Sequence, residues 1–178
     1  MKRIAKFEKV EYNQFKKDWL DTFPNKFNEL DDDTIDTIIR GIYDSLKLPQ
    51  RATTGSAGHD FYCPSNLTIP IDGCLKIPTG IRCRMNEGWV LQAYPRSSYG
   101  FKYGIHLANT VGIIDKDYYN SDNQGHIFIK LVNDSKLAKP VEIKTGDAFC
   151  QGIFTPFGIT EDDNVATIRN GGFGSTNK

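Results

Sequence analysis

The chain has 178 residues, with 22 Lys and Arg against 22 Asp and Glu. That length suits one domain with a proper core, and the charge balance leaves no global field to draw in nucleic acid or an anionic membrane. No apolar run approaches the ~20 residues of a membrane span, and the first ten residues lack the apolar centre of a signal peptide.

In chain order, residues 2–10 read as a short strand. Tyr12, Phe15, Trp19, Leu20 and Phe23 then recur at helical spacing until Pro24 stops the pattern. A second helix follows, with Ile35, Ile38, Ile39, Ile42 and Leu46 on one stripe. The run Asp31–Asp33 just ahead of it reads as a cap facing the positive helix end rather than a metal cluster. The character changes near Leu48 and Pro49, and beyond residue 50 the period is two. Ile81–Met85, Trp89–Tyr94, Ile127–Val132 and Val141–Ile143 have strand-like patterns, punctuated by Pro70, Gly73, Pro78, Gly80, Asn86, Gly88, Asn133, Asp134, Pro140 and Gly146. Many short strands with regular turns predict an all-β sandwich or jelly roll. The four cysteines, Cys63, Cys74, Cys83 and Cys150, have no paired ligand spacing and read as small buried or half-buried hydrophobes of a reducing, cytoplasmic compartment. The histidines, His59, His106 and His126, show no metal-ligand spacing either, so zinc is not expected.

Polar residues cluster where a β-domain has no structural need of them. Ala57–Asp60 puts a carboxylate after a glycine turn, and Pro95–Gly100 holds a cation and two hydroxyls. Asn109, then Gly112–Tyr118, sets a carboxylate and a phenol around a hairpin. Gly146–Gln151 leads from a turn into a strand. Singly, each reads as an ordinary turn or solvated loop. The final stretch, Gly171-Gly172-Phe173-Gly174-Ser175-Thr176-Asn177-Lys178, is too rich in glycine to form a core element. It reads either as a floppy end or as an arm whose amides and hydroxyls suit phosphate while Phe173 stacks on a flat ring.

In this order the five stretches resemble the five motifs of the trimeric deoxyuridine triphosphatase (dUTPase) family, over residues 48–178. The resemblance implies a mainly β, jelly-roll barrel or sandwich forming one domain over residues 1–178. To it are added a helical N-terminal insertion over 11–46 and a mobile glycine-rich C-terminal arm over 169–178. It further implies a homotrimer with shared active sites, Mg²⁺ as cofactor, and conversion of dUTP and water to dUMP and pyrophosphate.

On that resemblance Asp115 aligns and deprotonates the attacking water, and Ser97 donates to the α–β bridging oxygen. Tyr118 lies against the deoxyribose and excludes a 2′-hydroxyl, while the hairpin around Asn109 reads uracil. Arg96 and Ser98 support the phosphate chain or the subunit interface, and Gln151 contacts the α-phosphate. Asp60 holds Mg²⁺ through water. Phe173 stacks on the base, Gly174 lies within the closing arm, and Ser175 and Thr176 bind the γ-phosphate, with Arg169 as a further candidate there.

Some residues depart from the family pattern. Ala148 stands where an arginine is common, Asn177 replaces a closing glycine, and Arg169 lies one residue nearer Phe173 than usual. Six residues, Tyr119 to Gln124, precede Gly125 where one is usual, and are expected to lengthen a surface hairpin with Asp122 at a solvated tip. A deaminase acting on dCTP shares the fold, but its catalytic glutamate is replaced here by Lys130, which removes that mechanism. A binding or regulatory protein acting through residues 11–46 and 119–124 is the other class of reading.

Overall fold

The computed structural model describes residues 2–134, 138–167, 169 and 171. The chain opens with β1 (Ala5–Lys9), α1 (Tyr12–Thr22) and α2 (Asp32–Ser45), joined by a 3₁₀ turn at Pro24–Phe27. Next come β2 (Gln50–Arg51), β3 (His59–Tyr62), β4 (Leu67–Ile69), β5 (Cys74–Pro78), β6 (Ile81–Met85) and β7 (Trp89–Pro95). The short helix α3 (Ser97–Tyr103) precedes β8 (Ile105–Leu107) and β9 (Gly112–Ile114). After a 3₁₀ turn at Lys116–Asn120, β10 (Phe128–Asn133), β11 (Val141–Ile143) and β12 (Ala148–Pro156) complete the fold.

The protein is mainly β. One sheet runs β2-β3-β12-β7-β9 and another β5-β10-β8, with β1-β6 and β11-β4 as separate pairs. Pairing is antiparallel in each case. Alternation explains these strands: in β6, Ile81, Cys83 and Met85 are buried while Arg82 and Arg84 turn outward. The main core gathers Phe61, Ile77, Leu91, Ile129, Leu131 and Phe149, all essentially buried.

A second apolar cluster, Val10, Phe15, Trp19, Phe27, Ile39 and Leu46, lies among the helices. Burying side chains of this size stabilises by about 1.5–3 kcal/mol each. Phe23, ending α1, packs on both clusters. Asp31 caps α2 by accepting from the Thr34 amide at 2.8 Å, as the acidic run predicted. Ile38 departs from its expected stripe. It is 40% exposed because Ile35, Ile39, Ile42 and Leu46 already define the packed face and Ile38 falls at its edge.

Two other expectations are corrected. Cys63, Cys83 and Cys150 are buried, and burial pushes their thiols up to about 12, but Cys74, the first residue of β5, is exposed. The 119–124 segment is not a hairpin tip. It folds as turns against the N-terminal residues: Tyr119 donates to Glu8 Oε2 at 2.7 Å, with the Arg82 guanidinium 4.4 Å from the Tyr119 ring centre. Gln124 accepts from the Glu11 amide at 2.9 Å and donates to the Glu11 carboxylate at 3.0 Å. The side chains of Tyr119, Ser121, Asn123 and Gln124 bond to neighbouring groups and Ser121 is buried, while Asn120 and Asp122 keep the expected exposure.

Candidate active site

The predicted site residues fall into two groups. The first gathers where β3, β12 and the end of β7 lie side by side. The register sets Gln151 opposite both Asp60 and Tyr94. Arg96, just past β7, pairs with Asp60 at 2.5 Å; the Asp60 side chain is 8% exposed. Gln151 Nε2 donates to the Pro95 carbonyl at 3.2 Å. Ser97 and Ser98 are exposed and begin α3, where the sequence suggested only a turn. Seven residues are too few to show a helical period.

The second group surrounds a cavity of about 540 Å³ lined by Leu107, Asn109, Gly112, Tyr118, Phe128 and Arg169, among others. The β8–β9 segment lines it as a crossover loop and not the expected hairpin, because β8 pairs with β10 and β9 with β7; Thr110 in this loop has φ 65°, a left-handed conformation that a β-branched residue rarely adopts. The amide of Thr110 donates to Leu107 at 3.0 Å and that of Val111 to Asn109 at 2.6 Å, fixing the loop. Backbone pairing of β9 with β7 carries the chain on to Asp115. The Asp115 carboxylate accepts from the Arg169 guanidinium, and Arg169 Nε lies 2.9 Å from Asp117 Oδ1. Arg169, expected at the γ-phosphate, therefore sits between two carboxylates beside the cavity. Lys76 and Lys130 line the same cavity. They are positive charges that the motif reading did not include.

Tyr118 forms part of the cavity wall from within the 3₁₀ turn. Its hydroxyl donates to the His126 carbonyl at 2.7 Å and accepts from Asn123 Nδ2 at 2.7 Å. Burial raises the phenol's pKa, so it stays a neutral donor. His126 itself was assigned no chemistry from sequence. It is fully buried and bonded through Nδ1 to Asp18 Oδ2 at 2.5 Å. No sequence signal marks that pair, because the partners lie 108 positions apart.

Among the described residues no hydrogen bond or ion pair joins the two groups. Phe173, Gly174, Ser175 and Thr176 lie outside the described residues. Among the described residues no set of three or more His, Cys, Asp or Glu is placed to hold a metal ion. Asp60, buried and paired with Arg96, is the single carboxylate of the first group, a donor set that suits only an ion keeping most of its water, as Mg²⁺ does.

The dUTPase family profile matches residues 44–177. The chain belongs to the dUTPase family. It is 40% identical over 134 residues to a deoxyuridine 5′-triphosphate nucleotidohydrolase of Lactococcus lactis subsp. lactis, covering 74% of this chain and 88% of that protein. The corresponding Wolinella succinogenes protein is 34% identical over 142 residues, covering 77% of this chain and 91% of its own length. Among solved structures, the Streptococcus mutans dUTPase superposes with a TM-score of 0.60 at 36% identity, covering 66% of this chain and 91% of that one. A mutant dUTPase from phage phi11 of S. aureus, whose structure details coordination of a structural Mg(II) ion, has a TM-score of 0.56 at 20% identity. It covers 70% of this chain and 92% of its own, and shows likeness of fold alone. Helix α1 and nearly all of α2 precede the stretch that the dUTPase profile covers.

Proposed function

We propose that this chain hydrolyses dUTP to dUMP and pyrophosphate by attack of water on the α-phosphorus. The observation that carries the mechanism is Asp115 bonded to Arg169, which lines the cavity together with Tyr118. Uracil enters between the β8–β9 loop and Phe128, with backbone groups of the loop and Asn109 reading its edge. The sugar lies against Tyr118, where a 2′-hydroxyl meets the ring. Asp115 orients the water and takes its proton as the new P–O bond forms. The bond to the bridging oxygen breaks, and Ser97 donates to that oxygen as charge develops on the leaving pyrophosphate. Ser98, Arg96 and Gln151 hold the phosphate chain. The triphosphate competes with Asp115 and Asp117 for the Arg169 guanidinium, freeing Asp115 for the water.

Asp60 would hold a Mg²⁺ ion through water, and the ion would supply charge neutralisation to the phosphate chain. Phe173 stacks on the base and Gly174, Ser175 and Thr176 close over the γ-phosphate, excluding water. We read the fold as a jelly roll with residues 11–46 added to it. We also read the protein as a homotrimer in which the Asp60–Arg96–Ser97–Gln151 group of one subunit completes the Asn109–Asp115–Tyr118 group of another. Support comes from the two groups sharing no hydrogen bond or ion pair among the described residues. Among the described residues no helix is long and apolar enough to cross a membrane.

The test is pyrophosphate release from dUTP, dCTP, dTTP and UTP in parallel, with Mg²⁺ and then with EDTA. Fast release from dUTP alone, lost with EDTA, is expected. Equal release from dUTP and UTP would remove the sugar role of Tyr118. Turnover unaffected by EDTA would remove the metal.

A further inference from the structure

Rejecting a ribonucleotide by collision needs a wall that does not yield. A pocket that gives by an ångström accommodates one extra hydroxyl with little loss, so the clash discriminates only where the ring is held firmly. Tyr118 sits on a single 3₁₀ turn, a short element with poor hydrogen-bond geometry of its own. Its ring is fixed at the far end instead. The hydroxyl is bound to the His126 carbonyl and to Asn123, so the aromatic is anchored at both Cα and hydroxyl.

The anchor is itself anchored. The Gly80 amide donates to His126 Nε2 at 2.7 Å, which makes Nε2 the acceptor and puts the ring proton on Nδ1. That proton points at Asp18 Oδ2 on α1, which lies 2.5 Å from Nδ1, and the same oxygen accepts from Gln14 at 2.9 Å. Phe15 and Phe128 pack beside the imidazole at ring-centre distances of 6.2 and 4.6 Å. Asn123 is held in turn by Ser121, whose hydroxyl bonds both its amide oxygen and the Tyr118 carbonyl. Asp18 thus comes from the helical residues ahead of the family match, and Asn123 from the 119–124 segment.

We infer that Asp18, His126 and Asn123 are positioning residues for the dUTP/UTP choice, bracing the Tyr118 ring against a 2′-hydroxyl. The inference rests on the sugar-facing role proposed for Tyr118. It gives the N-terminal helical unit a part in specificity: α1 holds the imidazole, the imidazole's own backbone carbonyl holds the phenol, and the phenol fixes the wall. None of the three touches substrate.

The experiment compares kcat/KM for dUTP and for UTP, with thermal unfolding alongside, in Asp18→Ala, Asp18→Asn, Asn123→Ala, Tyr118→Phe, Tyr118→Ala and the Asp18→Ala/Tyr118→Phe pair. A wall loosened by less than an ångström should cut the dUTP/UTP ratio by about three- to tenfold, chiefly through faster UTP turnover. Asp18→Ala and Asn123→Ala should each do so. Asp18→Asn, which keeps an oxygen for the Nδ1–H, should restore most of the ratio. Tyr118→Phe should lower it similarly, and adding Asp18→Ala to that variant should change it no further, because the link is already cut. A general loss of stability would not produce that non-additivity. If Asp18→Ala does not fold, the part-exposed Asn123→Ala and Tyr118→Phe carry the comparison. Wild-type selectivity in Asp18→Ala and Asn123→Ala, with selectivity altered in Tyr118→Ala, would overturn the brace alone. Unaltered selectivity in Tyr118→Ala would overturn the sugar-facing role and the brace with it.

Discussion

Gly125 offers a sharp test of how tightly the 119–124 segment is packed. It has φ 70°, and a Cβ built there would stand 2.6 Å from Tyr119 Cα and 2.8 Å from the Tyr118 carbonyl oxygen. Both neighbours are backbone, so no side chain can swing aside. For Gly125→Ala the left-handed conformation costs about 1–2 kcal/mol, and forcing the turn outward adds about 1–3 kcal/mol, as overpacking does. Lower entropy in the unfolded chain opposes folding less and returns about 0.4–1 kcal/mol. The net loss is about 2–4 kcal/mol, or a fall in Tm of roughly 5–15 °C for a chain of this size. Gly88 is the control, because its φ is 75° but nothing lies within 4 Å of an added Cβ. Gly88→Ala carries the conformational cost alone, about 1 kcal/mol and roughly 2–4 °C. Thermal unfolding by circular dichroism at one fixed protein concentration reads both. Since the clash pushes on Tyr118 and Tyr119, dUTP turnover well below the melting range should fall about 100-fold in Gly125→Ala and stay near wild type in Gly88→Ala. Equal Tm losses in the two variants, or wild-type turnover in Gly125→Ala, would refute the packing argument.

Asp115→Asn should lower kcat by about 10²–10⁴-fold while dUTP binding, followed by calorimetry, survives; near-normal kcat would remove its role as base. Burial holds His126 and His59 below the ordinary imidazole pKa of 6.5, with Asp18 and Lys76 the charged groups facing His126 and Arg51 and Asp60 those facing His59. Below pH 6.5 the unfolded chain therefore binds protons that the native state refuses. Stability should fall as pH drops from 7.5 to 5.5, by up to about 1.4 kcal/mol per unit for each group, and His126→Gln should flatten the slope to the share of His59. A Tm constant or rising over that range would contradict the assignment. Thr110→Asn should relieve the left-handed strain in the β8–β9 loop and raise Tm by roughly 2–4 °C, which differential scanning calorimetry resolves.

Strands were legible wherever side chains alternate against one buried face, as in Ile81–Met85 and Val141–Ile143, where the structure has the same bounds. The Asp31 cap was legible because it is local, its partner lying three residues on. The motif residues Asp60, Arg96 and Gln151 read as a set and do come together. The docking of the 119–124 segment on the N-terminal residues did not show, and the reason is range. Glu8 and Tyr119 are 111 positions apart, and Glu11 and Gln124 are 113 apart. Polar side chains with no period give no hint of which distant surface they meet, so the segment read as a solvated tip. The contacts of Arg169 with Asp115 and Asp117 did not show for the same reason, since Asp115 lies 54 positions away.

The apolar cluster formed by Val10, Phe15, Trp19, Phe27, Ile39 and Leu46 draws every member from one short span of the chain. The main sheet, by contrast, must bring β3 to β12 and β5 to β10 across long separations. Contacts close in sequence form quickly, and those that close large loops form late. During synthesis from the N-terminus the helical hairpin is therefore complete before β12 has been made. It offers the arriving strands a finished surface, with the Asp18 carboxylate already in place to receive His126.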